Sequence, residues 1–245
     1  LALAGMTGAP TALEGRFGFY GATLRDKWSA EPLLAGLGRD WNVTDIFYKP
    51  YPANHFTHAA IDAAMALRSQ GLRPEHVESA TLRVATATVR TIGDPIETKR
   101  RPPTGYAAQF SGPYAVAAAL FGGSGLGLGL DDFTDSLATE SKRVDLMARI
   151  DVVGDRSCDA IYPYQFPAIL EVRATDGRDL RCAVMENRGG NRRPLSAAEL
   201  GDKFAQNVEG LLKPDVVEVV VDSLSGSAPD VRVVMSSLKI GRAHV

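Results

Sequence analysis

The chain has 245 residues, enough to bury a sizeable core in one or two domains. Hydrophobic residues make up 45% and charged residues 23%, an ordinary soluble composition, and a net charge of -2 excludes an electrostatic case for nucleic acid or an anionic membrane. Apolar runs are too short for a membrane span, and Cys158 and Cys182 show neither CxxC nor metal-ligand spacing, which points to a reducing, cytoplasmic setting without metal or cofactor and leaves one disulfide open.

Residues 1–5 read as a helix tail closed by Gly5 or Gly8, and the chain starts at Leu1 as though cut. The glycine-rich stretch 6–21 contains Thr11 and Glu14 at capping-box spacing, which predicts a short helix. A helix is expected over 28–37 and a strand over 41–48, where the run W-N-V-T-D-I-F-Y is β-branched and aromatic. A domain boundary is placed near 38–42. Pro50 and Pro52 hold the next residues extended. A helix follows over 57–70, with Ile61, Ala64, Met65 and Leu67 on its core stripe and Gly71 as its stop. On it His58 and Asp62 lie one turn apart.

The next expectations are a long strand over 78–89, a loop over 90–104 and one helix over 106–120. The glycine run 122–129 lacks G-K-[ST] and follows a helix, so it reads as a flexible connection. Two short helices are expected over 131–137 and 139–147, with the aspartates at 131, 132 and 135 as N-terminal charge. Strands are expected over 150–153, 168–174 and 181–185, the last two joined at Asp176-Gly177, a strong hairpin signal. Ser196 and Glu199 form a capping box that opens a helix to about residue 212. The class is α+β: a small mixed sheet-plus-helix domain over 41–194, flanked by helical segments over 1–40 and 195–238. Residues 239–245 read as a translated sequencing-library adapter, not native sequence, and His244 is given no role.

The run K-P-Y-P-A-N-H-F-T-H-A-A-I-D from Lys49, with Arg101-Pro102-Pro103-Thr104 and Phe110-Ser111-Gly112-Pro113-Tyr114, resembles the MmgE/PrpD family over residues 1–212. The resemblance implies a C-terminal portion of a metal-independent, homodimeric lyase. Its reaction would be a 2-methylcitrate dehydratase-like elimination on a small di- or tricarboxylate. The family's mainly helical domain is built from N- and C-terminal segments, with the α+β domain inserted. Its further acid, histidines and lysine would lie upstream of Leu1, so these residues alone are expected to be inactive.

The resemblance makes Lys49 and Tyr114 active-site residues. Lys49 would bind a carboxylate or stabilise an enolate, against the ordinary fate of a surface lysine at a strand end. His58, neutral at a helix N-terminus, would act as base or acid with Asp62 orienting it, against a satisfied first-turn histidine. Tyr114 would assist the leaving group, against plain core packing. Asn54, His55, Arg101 and Ser111 are the substrate-binding candidates. Lys99, Arg100 and Arg101 beside Lys49 would suit several carboxylates, although such charge runs are usually only solvated. Asn54 stands nearest the register of the decarboxylase branch's histidine, which points away from decarboxylation. The alternative is a non-catalytic ligand-binding or dimer-forming module of the same fold.

Overall fold

A computed structural model describes residues 1–25, 27–225 and 230–238. The expected non-native tail and His244 lie outside them. The chain divides into two units, Leu1–Thr44 and Asp45–Val245.

The first unit holds helices α1 (Phe19–Leu24) and α2 (Ala30–Leu34), the latter capped by Ser29. The 3-10 turn Ala2–Ala4 ends at Gly5 in the left-handed region. The Thr11–Glu14 helix does not form; the Gly15 amide closes one turn on the Thr11 carbonyl. Within this unit Gly18 is the one buried residue described. Leu3, Phe17, Leu37 and Trp41 are all exposed, and among the described residues this unit holds no hydrophobic core cluster.

In the second unit α3 (His58–Ser69) follows a 3-10 turn at His55–Thr57. Strand β1 (Val77–Val84) comes next, then the short helices α4 (Thr86–Ile92), α5 (Ile96–Arg100) and α6 (Gly105–Ala108). Helix α7 (Gly112–Phe121) leads through the glycine run to α8 (Asp135–Ala138) and α9 (Ser141–Met147). Strand β2 (Ile150–Gly154), α10 (Arg156–Asp159), and the hairpin of β3 (Ala168–Ala174) and β4 (Asp179–Val184) complete the sheet. Three helices close the chain: α11 (Ala197–Asn207), α12 (Pro214–Ser225) and α13 (Val231–Ser237). The fold is α+β, with a four-stranded mixed sheet among helices in the order β2-β1-β3-β4. Strand β1 runs parallel to β2 and antiparallel to β3.

The sheet's two faces follow from alternation. Ala80, Leu82 and Val84 of β1 and Leu170 and Val172 of β3 point into the core with Ile61, Leu67, Val116 and Leu120 of α3 and α7. Burying each leucine or isoleucine stabilises the fold by about 1.5–3 kcal/mol. The opposite face is polar apart from Ile169, which is buried with Ala85 and Cys158. Glu171 pairs with Arg83 at 2.7 Å and faces its cross-strand neighbour Arg181 at 3.5 Å.

Several expectations fail for physical reasons. The strand over 41–48 is absent: Asn42–Asp45 form a 3-10 turn, and the Phe47 ring packs against His55 and Phe166 instead of joining a ladder. Lys49 therefore does not end a strand. The strand over 78–89 stops at Val84, and α4 and α5 occupy most of the expected loop. The single helix over 106–120 breaks before Ser111, whose hydroxyl caps α7 by accepting from Tyr114 N at 3.0 Å. Pro113 sits in the first turn of that helix, where its missing N–H costs nothing. Leu130–Asp132 is a 3-10 turn, so the two expected short helices begin later, at Asp135 and Ser141. The helix opened by Ser196 ends at Asn207, short of residue 212. Cys158 and Cys182 are both free thiols.

Candidate active site

The K-P-Y-P bend delivers its groups to the start of α3. Asn54 caps the 3-10 turn: its Oδ1 accepts from Phe56 N at 3.0 Å, and its carbonyl accepts from Thr57 Oγ1 at 2.8 Å. The Asn54 amide oxygen is thus engaged in shaping the bend. One residue earlier, the Ala53 carbonyl receives two donors. Lys49 Nζ reaches it at 3.1 Å and His58 Nε2 at 3.3 Å. A carbonyl only accepts, so His58 carries its proton on Nε2. Its Nδ1 is left as a buried lone pair without a partner.

His55 completes the cluster. Its ring lies 4.7 Å from that of His58 and 4.9 Å from Phe166, centroid to centroid, and its buried Nε2 has no partner. Both imidazoles are neutral. Burial, then the Lys49 charge, pushes His55 down to about 4. Burial, then His55, pushes His58 down to about 3, while the Ala53 bond opposes. Burial is thus the leading cause, not the helix dipole that the sequence suggested.

Asp62 does not orient His58. Its Oδ1 accepts from the Tyr51 phenol at 2.5 Å and its Oδ2 from Arg193 at 3.3 Å. Arg188 then forks. Nη1 donates to Tyr51 Oη at 3.1 Å and to the Leu126 carbonyl at 2.9 Å, while Nη2 meets Glu199 at 2.5 Å. Burial first, then Asp62, holds the Tyr51 phenol protonated. Arg188 and Arg193 were not singled out from the sequence, because an R-G-G-N loop looks solvated without knowledge of what lies opposite. The glycine run is also held by side chains from outside it. Asp132 Oδ2 accepts from Ser124 N at 2.9 Å and Gly129 N at 2.7 Å, so this carboxylate caps the 3-10 turn Leu130–Asp132, as the expected N-terminal charge, and also ties down the loop. Gly127 has φ +142, and a Cβ there would collide with Met65 Sδ and touch Tyr51.

The other candidates sit apart from this cluster. Tyr114 is fully buried, its ring 5.5 Å from Phe133 and its hydroxyl donating to the Asp132 carbonyl at 2.5 Å. Burial pushes its phenol up to about 12. Ser111 Oγ donates to the Lys99 carbonyl at 2.6 Å. Lys99 Nζ is spent on the carbonyls of Thr91 at 2.6 Å and Phe110 at 3.0 Å. Arg100 is spent on Asp151 at 2.5 Å and the Ile150 carbonyl at 3.1 Å. Arg101 is exposed. Among the described residues no hydrogen bond or ring contact joins these groups to Lys49.

A cavity of about 930 Å³ lies elsewhere, in the open groove between α11 and α12, lined by Ala205, Val208, Leu212 and Val217. The acids around it, Asp202, Glu209, Glu218 and Asp222, are exposed. Among the described residues no group of three or more His, Cys, Asp or Glu is placed to hold a metal ion, and no helix is long and apolar enough to cross a membrane.

Comparison with known proteins identifies relatives of the chain. The chain is 26% identical over 234 residues to cis-aconitate decarboxylase of Mus musculus. That match covers 90% of this chain but 44% of the mouse protein. The sequence profile of the MmgE/PrpD C-terminal domain matches residues 51–224, from the Tyr51 bend to the end of α12. The chain belongs to the MmgE/PrpD family and carries that family's C-terminal domain.

Proposed function

We propose that this chain is part of a lyase acting on a small di- or tricarboxylate, by an elimination like that of 2-methylcitrate dehydratase. The observation that carries the reading is the Ala53 carbonyl, which draws a lysine and a histidine with a free Nδ1 lone pair to the mouth of one helix. Lys49 binds a carboxylate and offsets the enolate-like charge that appears when the neighbouring carbon loses its proton. His58 Nδ1, or His55, takes that proton. The imidazolium so formed returns that proton to the hydroxyl on the next carbon, which leaves as water, and the electron pair of the broken C–H bond becomes the alkene. A bound carboxylate also raises the pKa of nearby imidazoles, bringing their basicity towards the working range.

Asn54 shapes the bend in this assignment, and Arg101, exposed and without an ion pair among the described residues, binds a distal carboxylate. Tyr114 and Ser111 brace the scaffold, because their hydroxyls already donate to backbone carbonyls. The mouse relative's decarboxylation shares the chemistry of a carbon next to a carboxylate, so substrate and leaving group separate the two reactions. The test is turnover of 2-methylcitrate and of cis-aconitate by the full-length protein. Lys49→Ala should lower kcat/KM by about a hundredfold or more, as expected for loss of a charge stabiliser; an unchanged value overturns the assignment.

A second reading, binding without chemistry, is favoured by the low proton affinity of both imidazoles. Calorimetric binding of citrate by the full-length protein, with no turnover of either compound, would select it. The homodimer and cytoplasmic location belong to the same proposal and are checked by light scattering and fractionation.

A further inference from the structure

Two cations near the histidines lack a carboxylate partner among the described residues. The network around Tyr51 is internally balanced: Asp62 and Glu199 are taken up by Arg193 and Arg188. Lys49 is bonded only to a carbonyl. The second cation is Lys203, on α11, for which the sequence offered no signal beyond helical spacing.

Lys203 is placed by its neighbours. Glu199 lies four residues before it and Gln206 three after, so all three share one face of α11. Glu199 is bonded to Arg188, and Gln206 Nε2 donates to Ser124 Oγ at 3.0 Å in the glycine run. Both anchors belong to the parts that clasp Tyr51. Lys203, between them on that face, is half-buried, and among the described residues it has no hydrogen bond or ion pair. A partly desolvated ammonium without an anion is unfavourable unless something supplies one. Burial lowers its proton affinity, and its charge is among those that depress His58.

We infer that Lys203 is a substrate-binding residue that, with Lys49, selects ligands carrying at least two carboxylates, one for each ammonium. This deepens the polycarboxylate reading above and rests on it. The two-cation arrangement makes a monocarboxylate a poor ligand, because it leaves one ammonium uncompensated.

The test is calorimetry on the full-length protein at pH 7 with citrate and acetate as probes. Lys203→Met should weaken citrate binding about tenfold or more and leave acetate binding as it is, whereas Lys203→Arg should retain most of the citrate affinity. If Lys203→Met binds citrate like the wild type while Lys49→Met does not, the inference fails and the polycarboxylate reading stands. If the wild type binds no citrate, both fail. Should Lys203→Met not fold, reductive ¹³C-methylation of the wild type gives the answer. The Lys203 resonance, assigned with Lys203→Arg, should shift on adding citrate; a stationary resonance overturns the inference.

Discussion

Lys49 and His58 donate to the same acceptor, the Ala53 carbonyl, at 3.1 and 3.3 Å. The shared oxygen fixes the His58 tautomer and keeps a cation beside two neutral imidazoles. An unfolded histidine takes up its proton near pH 6.5, whereas folded His55 and His58 resist until about 4 and 3. Between those values the unfolded chain binds more protons, so stability is full above about pH 6.5 and is lost as pH falls. Each histidine adds up to about 1.4 kcal/mol per pH unit to that slope. Thermal unfolding between pH 6.5 and 4.5 should steepen accordingly, and His58→Gln, which keeps a donor for Ala53, should flatten it. Equal slopes would contradict this account.

Arg188 joins the bend, the glycine run and α11 through one guanidinium. Arg188→Gln should destabilise the chain by about 2–3 kcal/mol, because Glu199 and Tyr51 lose a half-buried charged partner. Arg188→Lys should recover little, since a single ammonium cannot reproduce the fork. Urea denaturation measures both, and a loss under about 0.5 kcal/mol for Arg188→Gln would contradict the clasp.

Gly127 meets two demands, a positive φ and room for Met65 Sδ. Gly127→Ala should lose about 1–3 kcal/mol through backbone strain alone, with the collision added. Combining it with Met65→Ala should remove the collision and leave the strain. If the two changes add with no recovery in a double-mutant cycle, the collision is not felt.

Tyr114→Phe deletes the bond to the Asp132 carbonyl and little else. It should lower stability by about 1 kcal/mol and leave kcat/KM of the full-length protein within a few-fold. A loss of about a hundredfold in turnover at unchanged stability would return the phenol to the chemistry.

The sequence carried the bend and the sheet well. Pro50 and Pro52, the 57–70 stripe, Asp176-Gly177 and the Ser196 capping box are local signals, and each appears close to where its residues placed it. Residues 41–48 misled because strand propensity reports packing on a pleated surface, and Phe47 found aromatic partners instead. Asp62 misled similarly: helical spacing brought it within reach of His58, but a tyrosine and an arginine distant in sequence claimed it. Arg188 and Lys203 were invisible for that reason. Their importance lies in what the chain brings opposite them, and one sequence without its fold does not show who faces whom.

The strand order β2-β1-β3-β4 also sets a sequence of events in time. Only β3 and β4 are joined by a short turn; β1 must find both neighbours across the long run of helices between residues 84 and 150. Closing such a span is slow, because chain entropy is lost before the pairing repays it. The hairpin therefore assembles early and β1 joins it late, and β2, which pairs with β1, gains its ladder no earlier, so both strands are protected after the hairpin in pulse-labelled hydrogen exchange. Simultaneous protection of β1 and the hairpin would show that the sheet forms in one step.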